Sequence, residues 1–195
     1  MRIQNTNKGD NVTVEPIRDL KAIEAIKKLI SSKPRDLLLF TMGINNGLRT
    51  IDLLKLKVGD VRHLKAGDSI QIIESKTGKL NVMVINKSSY KALQGYLSAV
   101  KPADDDYLFA SRKGASAITT ASVNGLVKSW CKALNIAGSF GAHTLRKTFG
   151  YHQRTKYGVG FEVLAKRFNH SSVSITQRYL GITDREVALI LNNEI

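Results

Sequence analysis

The sequence predicts an α+β fold that is mostly helical and has one small antiparallel β-sheet. Apolar residues recur every three to four positions over most of the 195-residue chain, which is the period of a helix with one buried face. Two short β-rich runs, 69–73 and 80–85, are separated by a polar turn that contains Gly78, and this pattern is typical of a hairpin. The length suits one compact domain with a sizeable core.

The helical pattern begins after a polar segment over residues 1–14, which we interpret as a tail or the remnant of a linker. The first helix has apolar residues at helical spacing: Leu20, Ile23, Ile26, Leu29 and Ile30. A second apolar helix covers 37–44 and should end at Gly47, because glycine permits the left-handed backbone of a helix end. A third helix begins at Thr50 and carries apolar residues as far as Leu56, so Arg49 is predicted to lie in a tight junction between two packed helices.

Helical periodicity returns over about residues 87–100 and 120–134. The chain from His143 onward is also predicted to be helical, with breaks at glycine residues 158, 160 and 181. Residues 183–186 have the spacing of a capping box, which predicts one more helix near the C-terminus. Residues 15–195 are therefore predicted to form one domain.

The charge of the chain favours a polyanionic partner. Thirty Lys and Arg against 16 Asp and Glu give a net charge of +14 and a pI near 10.0. Nucleic acid fits this charge best, although an anionic membrane surface or ribosomal RNA would also suit charge alone. No run approaches the roughly 18 apolar residues of a membrane span, and the N-terminus lacks the apolar core of a signal peptide. We therefore expect a cytoplasmic protein that does not bind membranes.

Several classes of site are excluded by residue usage. Cys131 is the one cysteine, so an internal disulfide and a cysteine-based metal site are excluded, and its helical context predicts a small core residue. The sequence has no GxxxxGK[ST] loop, no dinucleotide fingerprint and no cluster of histidines and carboxylates that suits a two-metal nuclease. We expect neither a metal nor a cofactor.

Six polar residues in short motifs suit the cleavage of a phosphodiester. A planar guanidinium can bind two nonbridging oxygens of a phosphate, and a histidine three residues before an arginine lies on the same helical face. One such residue alone would be interpreted as a surface charge or a structural group. The six candidates are Arg49, Lys76, His143, Arg146, His170 and Tyr179.

The order and spacing of these motifs resemble the tyrosine recombinase (phage integrase) family, from about Val12 to the C-terminus. The run 47–52 is similar to the family's first arginine box, and 143–146 is similar to its second. The nine-residue step from His170 to Tyr179 also matches the family. The resemblance implies the tyrosine recombinase catalytic-domain fold with its small antiparallel sheet.

One residue departs from the family pattern. The last histidine is commonly preceded by glycine in the family, whereas Asn169 stands there in this sequence. Asparagine tolerates a left-handed backbone better than most residues, so we expect the same turn.

The resemblance also implies a role for each residue. Tyr179 is the nucleophile, His143 transfers a proton to or from its hydroxyl, and His170 binds a nonbridging oxygen. Arg49 and Arg146 clamp the phosphate. Because an unperturbed tyrosine has a pKa near 10, its hydroxyl must lose the proton as it attacks, and the product is a phosphotyrosine.

The leaving 5′ oxygen needs a proton, and the family places a lysine at a hairpin tip for this step. Lys76 matches that position, with Lys79 as a weaker candidate. A turn that contacts phosphate without taking part in catalysis is the alternative.

The implied function is site-specific DNA recombination for integration, excision or inversion. The implied partners are double-stranded DNA, other copies of the chain in dimers and tetramers on DNA, and accessory DNA-bending proteins. We expect the family's separate N-terminal core-binding domain to be absent, which would suit a naturally short recombinase or an excised catalytic domain. A type IB topoisomerase and a catalytically silent DNA-binding regulator are the alternative functions.

Overall fold

The structure, a computed structural model, describes residues 13–112, 116–181, 188, 191 and 194. Over these residues the chain forms short to medium helices around a central helix, with one two-stranded sheet at the edge. The elements in order are α1 Leu20–Leu29, α2 Pro34–Asn46, α3 Thr50–Leu53, α4 Val58–Val61, β1 Ser69–Ile73, β2 Leu80–Val84, α5 Lys87–Val100, α6 Thr120–Ala133, α7 Ala142–Tyr157, α8 Phe161–Arg167 and α9 Val173–Leu180.

The predicted fold class is confirmed. The two strands pair antiparallel with Ser69 opposite Val84 and Ile73 opposite Leu80, so residues 74–79 form the hairpin loop. Each helix in the described part of the chain is too short or too polar to cross a membrane. The capping box predicted at 183–186 lies outside the described residues.

The third predicted helix is shorter than its apolar pattern suggests. It ends at Leu53, and α4, which the sequence did not predict, follows it. The reason is tertiary pairing: Leu108 N donates to Leu56 O at 2.8 Å and Val58 N donates to Asp106 O at 2.9 Å. These bonds require an extended backbone at the point where the helix would otherwise continue.

Helix α2 forms the centre of the core. Its residues Leu38, Leu39, Phe40 and Met42 are fully buried, and it packs against α5 and α7. Phe40 meets Trp130 of α6 edge to face, with ring centroids 5.8 Å apart. Cys131 is a buried free thiol whose pKa burial raises to about 11, so its prediction as a core residue is confirmed.

The junction between α2 and α3 depends on Gly47. Its φ of 61° is the left-handed helix end that the sequence predicted. A Cβ at Gly47 would also lie 2.3 Å from Phe149 Cδ1, so α7 leaves no room for a side chain. Both constraints fix Arg49, two residues later, as the residue that precedes α3.

A second glycine lets α9 approach α7. A Cβ at Gly150 would lie 2.8 Å from Phe168 Cζ and 2.7 Å from Leu180 Cδ2. Because Leu180 is next to Tyr179, this close contact sets the height of Tyr179 above α7.

An extended segment ahead of α1 also packs on α7. Ile17 is buried; its N–H donates to Thr148 Oγ1 at 2.9 Å, and its carbonyl lies 3.0 Å from His152 Nε2. This contact gives His152 a structural partner.

Candidate active site

Arg146 links three parts of the fold. Its side chain is buried on α7, Nη1 donates to Gly47 O at 2.7 Å and Nη2 donates to Phe168 O at 2.7 Å. Burial lowers the pKa of Arg146 to about 10, which leaves the guanidinium charged at neutral pH. Each terminal nitrogen carries a second N–H, so the group can hold the backbone and still donate to a phosphate.

Arg49 precedes α3 and keeps 15% of its side chain exposed. Its Nη1 forms an ion pair with the carboxylate of Glu74, which is completely buried at the end of β1. Glu74 was not predicted from the sequence, because no sequence pattern places the first residue of a hairpin loop against an arginine 25 positions earlier. Arg49 and Arg146 are near enough that each lowers the pKa of His170.

Asp52, the carboxylate of the first arginine box, holds the hairpin loop. Its Oδ1 accepts from Ser75 N at 2.7 Å and from Ser75 Oγ at 2.5 Å. Its Oδ2 is buried and has no hydrogen-bond partner among the described residues. Asp52 therefore fixes the residue immediately before Lys76.

Lys76 lies exposed in the turn at the tip of the hairpin, as predicted. Its other neighbour, Thr77, donates from Oγ1 to Glu74 at 2.7 Å. The lysine is thus held on both sides, by Asp52 through Ser75 and by Glu74 through Thr77.

His143 is the second residue of α7 and reaches solvent. Desolvation of its ring lowers the pKa below the usual 6.5, and the charges of Arg146, Lys147, Arg49 and Lys76 lower it further. The ring is therefore neutral at pH 7 and able to accept a proton.

His170 follows a left-handed turn at Asn169, whose φ is 50°, as the sequence predicted. Its Nδ1 lies 2.8 Å from Oγ1 of the fully buried Thr176, a partner that no sequence motif indicated. Burial first, and then the charges of Arg146 and Arg49, lower the pKa of His170 to about 4. The ring is neutral at physiological pH, and Nε2 is available for a ligand.

Tyr179 is enclosed by aromatic and cationic side chains. Its ring contacts Phe168 and His170 at centroid distances of 5.7 and 5.4 Å, and Lys147 Nζ lies 4.8 Å from its centroid. Burial raises the pKa of Tyr179 to about 12, although the charges of Arg146 and Arg49 partly oppose this shift. The hydroxyl oxygen is buried and has no well-formed hydrogen bond among the described residues.

An open cavity gives access to this tyrosine. Its volume is about 400 Å³, and its lining includes His143, Lys147, Tyr179 and, from the segment ahead of α1, Val14. In the described residues, His, Cys, Asp and Glu side chains form no group of three or more that could hold a metal ion.

Comparisons with known proteins agree with the motifs. The pattern of the phage integrase family matches residues 14–186. "Probable integrase/recombinase YoeC" of Bacillus subtilis (strain 168) is 38% identical over 174 residues, covering 88% of this chain and 91% of the relative. Tyrosine recombinase XerC of Caldanaerobacter subterraneus subsp. tengcongensis is 31% identical, covering 87% of this chain and 49% of the relative. The chain thus spans nearly all of one relative and about half of the other.

Solved structures share the fold. XerH site-specific recombinase bound to palindromic difH substrate, in a post-cleavage complex, superposes with a TM-score of 0.76 at 22% identity, covering 97% of this chain and 55% of that one. A lambda integrase dimer bound to a COC′ core site gives a TM-score of 0.68 at 16% identity, covering 96% and 52%.

Proposed function

Because the chain belongs to the phage integrase family, we propose that it cleaves and rejoins DNA strands at specific sites through a covalent 3′-phosphotyrosine on Tyr179. The observation that carries this proposal is the buried hydroxyl of Tyr179, which has no well-formed hydrogen bond among the described residues and lies beside Arg146. A buried polar atom without a well-formed hydrogen bond needs an explanation, and a nucleophile that awaits its phosphate supplies one.

The proposed reaction is a balanced transesterification. Tyr179 Oη attacks the phosphorus, its proton passes to the neutral imidazole of His143, and the bond from phosphorus to the 5′ oxygen breaks. Lys76 gives a proton to that oxygen, which leaves as a 5′-hydroxyl. Arg49, Arg146 and His170 donate to the nonbridging oxygens as negative charge develops. Rejoining runs these steps in reverse.

Thr176 determines which ring nitrogen of His170 carries the proton and can donate a hydrogen bond. A neutral imidazole carries one N–H, so His170 can donate from Nε2 only if its Nδ1 accepts. The hydroxyl of Thr176, 2.8 Å from Nδ1, can donate that hydrogen bond. A buried threonine on the nucleophile's own helix therefore supports the phosphate-binding tautomer.

A nicked suicide substrate tests the proposal. Loss of the short 5′ strand prevents rejoining, so a recombinase accumulates as a protein–DNA adduct that resists denaturant. A two-site recombination assay beside a supercoil-relaxation assay then separates strand exchange from topoisomerase activity. Absence of any adduct on DNA that the protein binds would contradict the proposed chemistry.

We expect cleavage to depend on pH through His143 rather than through Tyr179. Burial and the nearby cationic side chains lower the pKa of His143 below the usual 6.5, so its base form is present at pH 7 and is lost only as the pH falls through the lowered pKa. Tyr179, with a pKa of about 12, stays protonated up to pH 9. Single-turnover cleavage should therefore be flat from about pH 7 to 9 and fall in acid. A rate that rises tenfold per pH unit above 7 would instead indicate a preformed phenolate.

Lys76→Ala should lose cleavage of ordinary DNA but recover on DNA with a 5′-bridging sulfur. A thiolate leaves without a proton, so the sulfur replaces the general acid and no other group. Lys79→Ala is the matched control from the same loop. Sulfur rescue of Lys79→Ala alone would transfer the role to Lys79, and rescue of neither variant would limit the hairpin to DNA binding.

Double-stranded DNA is the proposed partner. The net charge of +14 and the DNA complexes of the structural relatives support this choice. We further propose that residues 15–195 act as one catalytic domain and that copies associate on DNA as dimers and tetramers, with accessory DNA-bending proteins where a site requires them. Analytical ultracentrifugation on one-site and two-site DNA measures that association.

A further inference from the structure

Glu74 is a buried carboxylate in the middle of a basic site, and the proposed reaction does not use it. It lies two residues before Lys76, and none of its side chain is exposed to solvent. A buried charge is tolerated only when it is paired and hydrogen-bonded. Its contacts therefore indicate what it does.

Three side chains satisfy this carboxylate. Thr77 Oγ1 donates at 2.7 Å, Asn81 Nδ2 donates at 2.8 Å, and Arg49 Nη1 completes an ion pair. Burial alone would raise the pKa of Glu74, but these partners outweigh it and lower the pKa below 4.5. Glu74 is thus an anion at neutral pH, before any phosphate arrives.

The same contacts connect two functional groups. Through Arg49, Glu74 holds one end of a clamp guanidinium, and through Thr77 it holds the turn that carries Lys76. Asn81 extends the connection, because its Oδ1 accepts from Arg167 Nη1 at 2.6 Å and Arg167 Nε donates to the carbonyl of Asn46 at 3.0 Å. The hairpin is thereby tied to α8 and to the end of α2.

We propose that Glu74 is a positioning residue that fixes the Arg49 guanidinium and the Lys76 turn in one geometry, so that the clamp and the general acid meet the same phosphate. This inference rests on the proposed function. Glu74 itself does not touch DNA, because its carboxylate would repel a phosphate and its three partners enclose it.

A double-mutant cycle tests the link to Arg49. Glu74→Gln keeps the shape and the Asn81 contact but loses the ion pair, so cleavage at saturating suicide substrate should fall by about tenfold to a hundredfold, as for a small misplacement of a catalytic group. DNA affinity should stay the same or increase. In an Arg49→Ala background and on the 5′-bridging sulfur substrate, which does not need Lys76, Glu74→Gln should change the rate by no more than about twofold, because the partner of the ion pair is gone.

Glu162→Gln is the control of equal charge. Glu162 is an exposed residue of α8, so this variant has the same net charge as Glu74→Gln and should cleave like the wild type. A wild-type rate for Glu74→Gln, or an equal loss in both backgrounds, would overturn the link to Arg49.

A separate variant, Thr77→Val, tests the connection between Glu74 and the turn that carries Lys76. Thr77→Val changes an exposed loop residue, so it leaves the core intact even if Glu74→Gln fails to fold. Its loss of cleavage, about tenfold or less, should disappear on the 5′-bridging sulfur substrate, because only the general acid is displaced. Unchanged cleavage of the oxygen substrate by Thr77→Val would overturn this link.

Thermal unfolding separates this inference from the proposed function. The shifts in Tm of Arg49→Ala and Glu74→Gln should be less than additive in the double variant, whether or not the protein cleaves DNA. If the wild type forms no adduct, the proposed function fails, but the Tm shifts still report whether Arg49 and Glu74 interact. If the wild type forms an adduct but the effects of Arg49→Ala and Glu74→Gln are additive in both the cleavage rate and the Tm, the inference about Glu74 fails while the proposed function stands.

Discussion

Tyr179→Phe should abolish the covalent protein–DNA adduct and leave DNA affinity nearly unchanged. The substitution removes only a buried hydroxyl that has no well-formed hydrogen bond among the described residues, while the ring contacts with Phe168 and His170 remain. Because the hydroxyl makes no well-formed hydrogen bond that the substitution would remove, the thermal stability should be nearly unchanged. A denaturing gel of the suicide-substrate reaction measures the adduct, and a binding titration measures affinity.

Tyr157→Phe is the matched control for this prediction. Tyr157 ends α7 with 62% of its surface exposed, so the same chemical change there should leave adduct formation intact. An adduct that persists in Tyr179→Phe would assign the nucleophile to another residue.

Arg49→Ala and Arg146→Ala should each reduce single-turnover cleavage by about 10²- to 10³-fold, as expected when one donor to a developing oxyanion is removed. The two variants should differ in stability. Arg146→Ala leaves the carbonyls of Gly47 and Phe168 without their donor in a buried setting, so its Tm should fall. Arg49→Ala instead leaves Glu74 without its cation, so the pKa of that carboxylate should rise.

Arg62→Ala controls for the loss of one positive charge. Arg62 is an exposed residue that pairs with Asp104, and its removal should leave the cleavage rate within about twofold of the wild type. Saturating DNA keeps weaker binding from being mistaken for slower chemistry. Normal cleavage by Arg49→Ala or Arg146→Ala would remove that arginine from the phosphate clamp.

Local features of the fold followed from the sequence. Helical periodicity predicted α1, α2, α5 and α6 to within a few residues, and two short β-rich runs on either side of a polar turn predicted the hairpin. Gly47 and Asn169 were predicted to be left-handed because few residues adopt that backbone without strain, and both do. Predictions of this kind succeed because the physical cause lies within a few residues of its effect.

The sequence by itself determined which candidate phosphate-binding residues this chain contains and the order in which they occur. Tertiary structure decided which groups hold them. Glu74 meets Arg49 only because the hairpin packs against the junction of α2 and α3, and Arg146 meets the carbonyls of Gly47 and Phe168 only because the fold brings both segments to α7. α3 likewise ends early because residues 106–108 pair with the chain beyond it. Buried polar groups must find partners wherever packing brings them, and that requirement depends on distance in space rather than on distance along the chain.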